Sequence, residues 1–222
     1  MRRLMLSSNT NKIDVWWWRP KYVNNFGDEL GACILEKMGY QITKVGLRQA
    51  QLITSGTILH MANDLAPPGC TIWGSGVGWD ALIDKQFDVR AVRGQITADI
   101  IGFEGVVGDP GLLVSRYWKR PPIKFKTGVV RHYVDQNEYD WADVVIDCGQ
   151  PVDDIIYQIG QCETICSSSL HGLIVAQSYG IPNMRIEHEA IIGGHLKYCD
   201  YMTALTKPIE QIQDDLEQAL RD

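Results

Sequence analysis

The stretch ICSSSLHGLIVAQSYGIP, residues 165–182, reads as the end of a strand, a turn and a helix. Ile165 and Cys166 close an apolar run, Ser167, Ser168 and Ser169 make the turn, and Leu170 starts a helix packed down by Leu173, Ile174, Val175 and Ala176. A strand that feeds directly into a helix is the unit of a doubly wound α/β sheet, where ligands gather outside the carboxyl ends of the strands. His171 then falls in the first helical turn, beside backbone N–H groups that have no intrahelical partner and at the positive end of the helix dipole. Serine hydroxyls and first-turn amides together form an anion site, and Gly172 admits close approach of backbone or substrate. An anion bound there would make His171 a proton donor only when substrate is present.

The same alternation runs outward in both directions. Segments 13–18, 51–54, 70–73, 88–92 and 105–107 predict strands in the first half, with helices over 30–38 and 95–101 that end at Gly39 and Gly102. Lys119-Arg120-Pro121-Pro122 reads as a linker. Beyond it, 127–132, 144–148, 163–166 and 183–186 predict strands, with helices over 152–160 and 170–179. Ile209, Ile212, Leu216 and Leu220 lie at helical spacing behind Pro208, which predicts an amphipathic closing helix. The expected architecture is α/β: an N-terminal Rossmann-like doubly wound domain over 1–118, a C-terminal one over 123–207, and a closing helix over 208–222.

Composition narrows the function. The chain has 222 residues, 45 % hydrophobic and 22 % charged, with a net charge of −6 and most of the acidity after residue 116. That balance argues against general nucleic-acid binding, which needs a basic face, but leaves room for a small anion held by a few placed cations. Arg2 and Arg3 begin like a signal peptide, yet the apolar stretch Leu4, Met5, Leu6 ends far short of an h-region. No run approaches the roughly 20 apolar residues of an integral membrane segment. The six cysteines are scattered, and Cys162 and Cys166 with His171 lack the second pair a tetrahedral zinc site needs. The expectation is a cytoplasmic protein with reduced thiols and no structural metal.

Further candidates follow the strands. In NFGDEL, residues 25–30, Asn25 or Asp28 can cap the next helix and Gly27 lets a ligand approach the backbone. GDPGLL, residues 108–113, reads as turn chemistry. Arg131 and His132 end an apolar strand, a cationic and a titratable group together. Arg90 and Arg93 flank a strand-to-helix turn and can form a phosphate fork. Trp16, Trp17 and Trp18 alternate faces on a strand, so at least one should line a cleft or interface, where an aromatic face suits a sugar ring. GSGVG, residues 74–78, lacks the lysine and the spacing of a P-loop.

Taken in order, NFGDEL (25–30), TSGTILHMA (54–62), WGSGV (73–77), AVRGQIT (91–97), GDPGLL (108–113), VVRHYVD (129–135), SSSLHGLIVAQSYGIP (167–182) and KYCDY (197–201) resemble the polysaccharide pyruvyl transferase family. The resemblance spans nearly the whole chain. It implies a fold similar to the B-type glycosyltransferases, with the active site between two Rossmann-like domains. It also implies transfer of the pyruvyl group of phosphoenolpyruvate to a hexose of an exopolysaccharide or capsule precursor, as a ketal, with phosphate released. The acceptor of such an enzyme can be lipid-linked and met at the inner face of the membrane.

By the resemblance His171 is the catalytic acid, with His132 or Asp28 taking hydroxyl protons. Asn25, Gly27, Leu170 and Lys197 fall in matching motifs on the substrate side. Many members carry Arg where this chain has Ser169, so anion binding passes to Ser168, Ser169, Arg131, Arg93 or another cation. No metal or organic cofactor is implied, phosphoenolpyruvate being the donor substrate. The chain is short for the family, which implies a trimmed first domain. Two other readings compete. One is a nucleotide-sugar glycosyltransferase with Glu187 or Glu189 on the ribose, and the other is a non-catalytic carbohydrate-binding protein built on the tryptophan cluster.

Overall fold

Two parallel sheets, one from each side of the 119–122 stretch, frame the protein in a computed structural model that describes residues 11–79, 83–84, 86–191 and 193–222. The Arg2-Arg3 start lies outside the described residues.

In the first half, β1 (Lys12–Trp16) leads to α1 (Phe26–Lys37), β2 (Gln41–Lys44), β3 (Leu52–Ile53), α2 (Leu59–Leu65) and β4 (Thr71–Trp73). After β5 (Asp88–Val92), α3 (Gln95–Ile101) and β6 (Val106–Val107), a 3-10 turn over Pro110–Leu113 runs into α4 (Val114–Tyr117). The strands pair in the order β2-β1-β3-β4-β5-β6, every pair parallel.

The second half places β7 (Phe125–Arg131), β8 (Val144–Asp147), α5 (Val152–Gly160), β9 (Cys162–Ser167), α6 (Leu170–Ser178) and β10 (Asn183–Arg185) in a sheet of order β10-β9-β7-β8, again parallel throughout. Continuous apolar runs such as Val129-Val130 are covered on both faces, as parallel strands require. The chain is therefore α/β with two parallel sheets, an arrangement compatible with Rossmann-like halves.

The last two helices, α7 (Leu196–Ala204) and α8 (Ile209–Arg221), cross back to the first half. The closing helix lies against β5 and β6, and Trp73 Nε1, from the end of β4, donates to Leu216 O at 2.9 Å. α7 packs on α3. One continuous apolar core joins Phe26, Leu30 and Trp73 to Val130, Ile155, Ile174 and Leu216, so both sheets and the closing helix share it. Among the described residues no helix is long and apolar enough to cross a membrane.

Candidate active site

Strand order places the site. In the first sheet the order reverses between β1 and β3, and in the second between β7 and β9. At such switch points the connections leave in opposite directions and open a crevice at the carboxyl ends of the strands. Both crevices empty into one cleft of about 310 Å³. Trp18 reaches it after β1, Thr57 and Ile58 after β3, His132 and Tyr133 after β7, and Ser169 and Leu170 at the start of α6. Asn25 enters from just before α1, Asp28 from its first turn, His171 from α6 and Lys197 from α7.

His171 is 8 % exposed and stands where the N-terminal ends of α1 and α6 meet. Its Nδ1 lies against Gly27 so closely that a Cβ there would overlap the ring. That contact is why α1 begins Phe-Gly-Asp: only glycine leaves the imidazole room. The other ring nitrogen, Nε2, points at Asp109 Oδ2 across 3.5 Å. Asp109 is fully buried, and its Oδ1 accepts from Gly111 N at 2.8 Å and from Ser55 Oγ at 3.2 Å. The GDPGLL segment is therefore the turn its sequence implies, and one of its oxygens also faces the histidine of the other half.

Three more titratable groups share the cleft. Burial raises the Asp28 carboxyl to about 6, although the nearby His171 and Lys197 pull it down, and Asn25 Nδ2 donates to it at 3.0 Å. Burial lowers the Lys197 ammonium to about 8, with Arg93 adding to the effect and Asp28 opposing it. Lys197 is 6 % exposed and makes no salt bridge among the described residues. His132 is pushed down to about 3 by burial and then by Lys197, so its ring is neutral at working pH. It stacks on Tyr133 with ring centroids 4.3 Å apart.

Several expectations change on this geometry. Arg93 is 1 % exposed and held by Asp200 (Nε–Oδ2 2.8 Å), Thr57 Oγ1 (2.8 Å) and Val77 O (2.6 Å), so it braces the cleft from behind instead of lining it. Arg90 closes on Asp88 at 2.9 Å, and the two arginines form no fork. Arg131 pairs with Asp147 at 3.1 Å outside the cleft lining. Ser168 Oγ donates to the buried Asp135 at 2.6 Å, and Ser167 Oγ is taken by Val130 O and Ser169 O, so Ser169 carries the one cleft-lining hydroxyl of the serine turn. Asn25 sits at the N-cap position of α1 but its side chain binds Asp28 and caps nothing. Gly172 packs on Val130 and the Ser167 hydroxyl, which seats α6 on its sheet. The glycines of 74–78 make room for a side chain: a Cβ at Gly76 would overlap the Arg93 guanidinium.

β1 ends at Trp16, so the three tryptophans are not alternating strand residues, yet one of them does reach the cleft. Trp16 and Trp17 enter separate cores, while Trp18 is 39 % exposed and walls the cleft. His60, its ring tilted 45° against Trp79 with centroids 4.0 Å apart, walls it on the α2 side. The residues that sequence reasoning missed are Asp109, Thr57 and His60. Asp109 hid behind a sufficient turn explanation, while His60 lies on a short helix without a cap or a periodic face.

A family model described as polysaccharide pyruvyl transferase matches residues 69–189, which contain Asp109, His132 and His171. The chain is similar to the succinoglycan biosynthesis protein ExoV of Rhizobium meliloti (strain 1021), at 29 % identity over 184 residues, covering 75 % of this chain and 57 % of that protein. It is also 32 % identical over 111 residues to an uncharacterised protein of Acanthamoeba polyphaga mimivirus, covering 44 % of this chain and 39 % of the viral protein. The chain thus spans about half the length of these curated relatives.

Proposed function

Because this chain belongs to the polysaccharide pyruvyl transferase family, we propose that its cleft transfers the pyruvyl group of phosphoenolpyruvate to two hydroxyls of a hexose in a cell-surface polysaccharide or its precursor, forming a pyruvate ketal and releasing phosphate. The observation that carries this reading is one cleft holding a buried cation, Lys197, that makes no salt bridge among the described residues, beside an imidazole, His171, and a carboxyl, Asp28. A small polyanionic donor needs such a cation, and an enol phosphate needs an acid and a base within reach.

The chemistry runs through those groups. Protonation of the donor's methylene carbon by His171 leaves an oxocarbenium at its central carbon. The first sugar hydroxyl adds there and gives its proton to Asp28. The carbon–oxygen bond to phosphate then breaks, and the phosphate departs against Lys197 and the first-turn amides of α6, taking the proton from Asp28. The second hydroxyl closes the ketal and returns a proton to His171. Asp28, with its carboxyl near 6, suits the base role better than His132, whose ring binds a proton only near 3.

Lys197 takes the part of the arginine that many members carry where this chain has Ser169. Trp18 and Tyr133 offer flat faces for the acceptor ring. The B-type glycosyltransferase arrangement belongs to the same proposal, supported by two parallel sheets whose carboxyl ends open on a shared cleft. So do a cytoplasmic location and a lipid-linked acceptor. The printed role of ExoV in succinoglycan biosynthesis supports a polysaccharide acceptor. Glu187 and Glu189 lie outside the cleft lining, and Glu187 faces Arg185 at 3.8 Å, which leaves the nucleotide-sugar reading without its ribose ligand.

Incubation with phosphoenolpyruvate and a panel of hexosides bearing a free 4,6-diol tests the reading. Mass spectrometry should show a gain of pyruvic acid less one water, with one phosphate released per addition. No gain across the panel, together with stabilisation against heat by UDP- or GDP-sugars alone, would replace it with the glycosyltransferase reading.

A further inference from the structure

Among the buried side-chain atoms without a hydrogen-bond partner are Asp109 Oδ2 and His171 Nε2, and they face each other across 3.5 Å. Asp109 comes from the turn after β6 in the first half, and His171 from the first turn of α6 in the second. No arginine or lysine among the described residues forms a salt bridge with Asp109, so the imidazole is its one ionic partner. A fully buried carboxylate left unpaired costs several kcal/mol, which a turn cap alone does not repay. The cap engages Oδ1 only, through Gly111 N and Ser55 Oγ, and an asparagine would keep it. Charge at Oδ2 is therefore not explained by the turn.

We propose that Asp109 is the positioning residue of His171, holding a proton on Nε2 so that Nδ1 is the atom that gives and takes the catalytic proton. The proposal rests on the proton-transfer role assigned to His171 above. A carboxylate facing Nε2 selects the Nε2–H tautomer of the neutral ring and balances the positive charge when the ring is protonated. Nδ1 lies against Gly27, next in the chain to Asp28, and both His171 and Asp28 line the cleft. A separation of 3.5 Å is longer than a made hydrogen bond, and such contacts tighten in the substrate complex. Because the two residues belong to different halves, approach of the halves by a fraction of an ångström would complete the pair.

Long-range proton–nitrogen correlation NMR of the imidazole, recorded on the free protein with its ring neutral, reads the tautomer without any substrate. Wild type should show His171 as Nε2–H. In Asp109→Asn the cap is kept but an amide N–H faces Nε2, so the ring should move to the Nδ1–H tautomer. Turnover with phosphoenolpyruvate should fall about 10²–10⁴-fold in kcat, with KM for the donor changed by less than about threefold. A purely structural role would leave the tautomer in place. An Nδ1–H ring in wild type, or an unchanged tautomer and kcat in Asp109→Asn, would overturn the assignment. Should Asp109→Asn fail to fold, the wild-type spectrum decides alone. The tautomer is read without donor, so it judges Asp109 even if phosphoenolpyruvate proves to be the wrong substrate.

Discussion

Asp28 is held in the cleft against its own solvation. Its carboxyl keeps a proton up to about pH 6 in the native protein, against 3.8 for an ordinary aspartate. Between those values the native state binds more protons than the unfolded chain, so stability falls as pH rises through the window. The loss is on the order of 1–3 kcal/mol by neutral pH. Asp28→Asn removes the ionisation and should raise the melting temperature at about pH 7, with the gain gone at about pH 4, while turnover is lost. Thermal unfolding at the two pH values checks the sign. A variant less stable than wild type at neutral pH would mean that Asp28 is a structural anchor.

At the scale of elements, the site depends on how α1 and α6 meet. Gly27 lets the two N-terminal ends close until the backbone of one touches the ring of the other. Gly27→Ala should displace His171 and reduce kcat by about 10²-fold or more, since an ångström of misplacement is costly. Far-ultraviolet circular dichroism should remain that of wild type, because alanine is a good helix former. Wild-type turnover in that variant would place the catalytic proton elsewhere.

What sequence could reveal also belongs to this scale. The helices over 95–101 and 152–160 match their predicted bounds, because each presents an apolar stripe between clear start and stop residues. β2 escaped notice because it is a mostly exposed edge with a single half-buried apolar residue, Ile42. α7 escaped for the opposite reason. It buries Lys197 and Asp200, so polar residues occupy the face that apolar periodicity would mark. Asn25, Asp28, His132, Ser169, Leu170, His171 and Lys197 were legible as strand-end or motif residues and line the cleft. Arg93 was read as a phosphate ligand because its partner Asp200 lies 107 residues away, a separation that no local pattern reports.

Over the whole molecule, that same pair ties the C-terminal helices to the first sheet. Arg93 and Asp200 are 1 % and 0 % exposed, and Asp200 also accepts from Thr97 N at 2.8 Å and from Thr97 Oγ1 at 2.7 Å. Removing one charge strands the other in the interior. Asp200→Asn should therefore cost about 3–5 kcal/mol in urea unfolding. It should also raise KM for the donor, because α7 carries Lys197 into the cleft. A loss below about 1 kcal/mol would mean that water reaches the pair. The net charge of −6 is no obstacle to an anionic donor, since one buried ammonium and two helix N-termini act locally.

In the proposed reaction His171 starts the transfer of the pyruvyl group of phosphoenolpyruvate onto a sugar, and phosphate is the group released. Phosphate release measured with and without a hexoside acceptor, for wild type and for a folded His171→Ala variant, tests it most directly. Wild type should release phosphate only when acceptor is present, in equal amount to the pyruvyl groups added, and the variant should release none. Acceptor-dependent release by His171→Ala at the wild-type rate would contradict it.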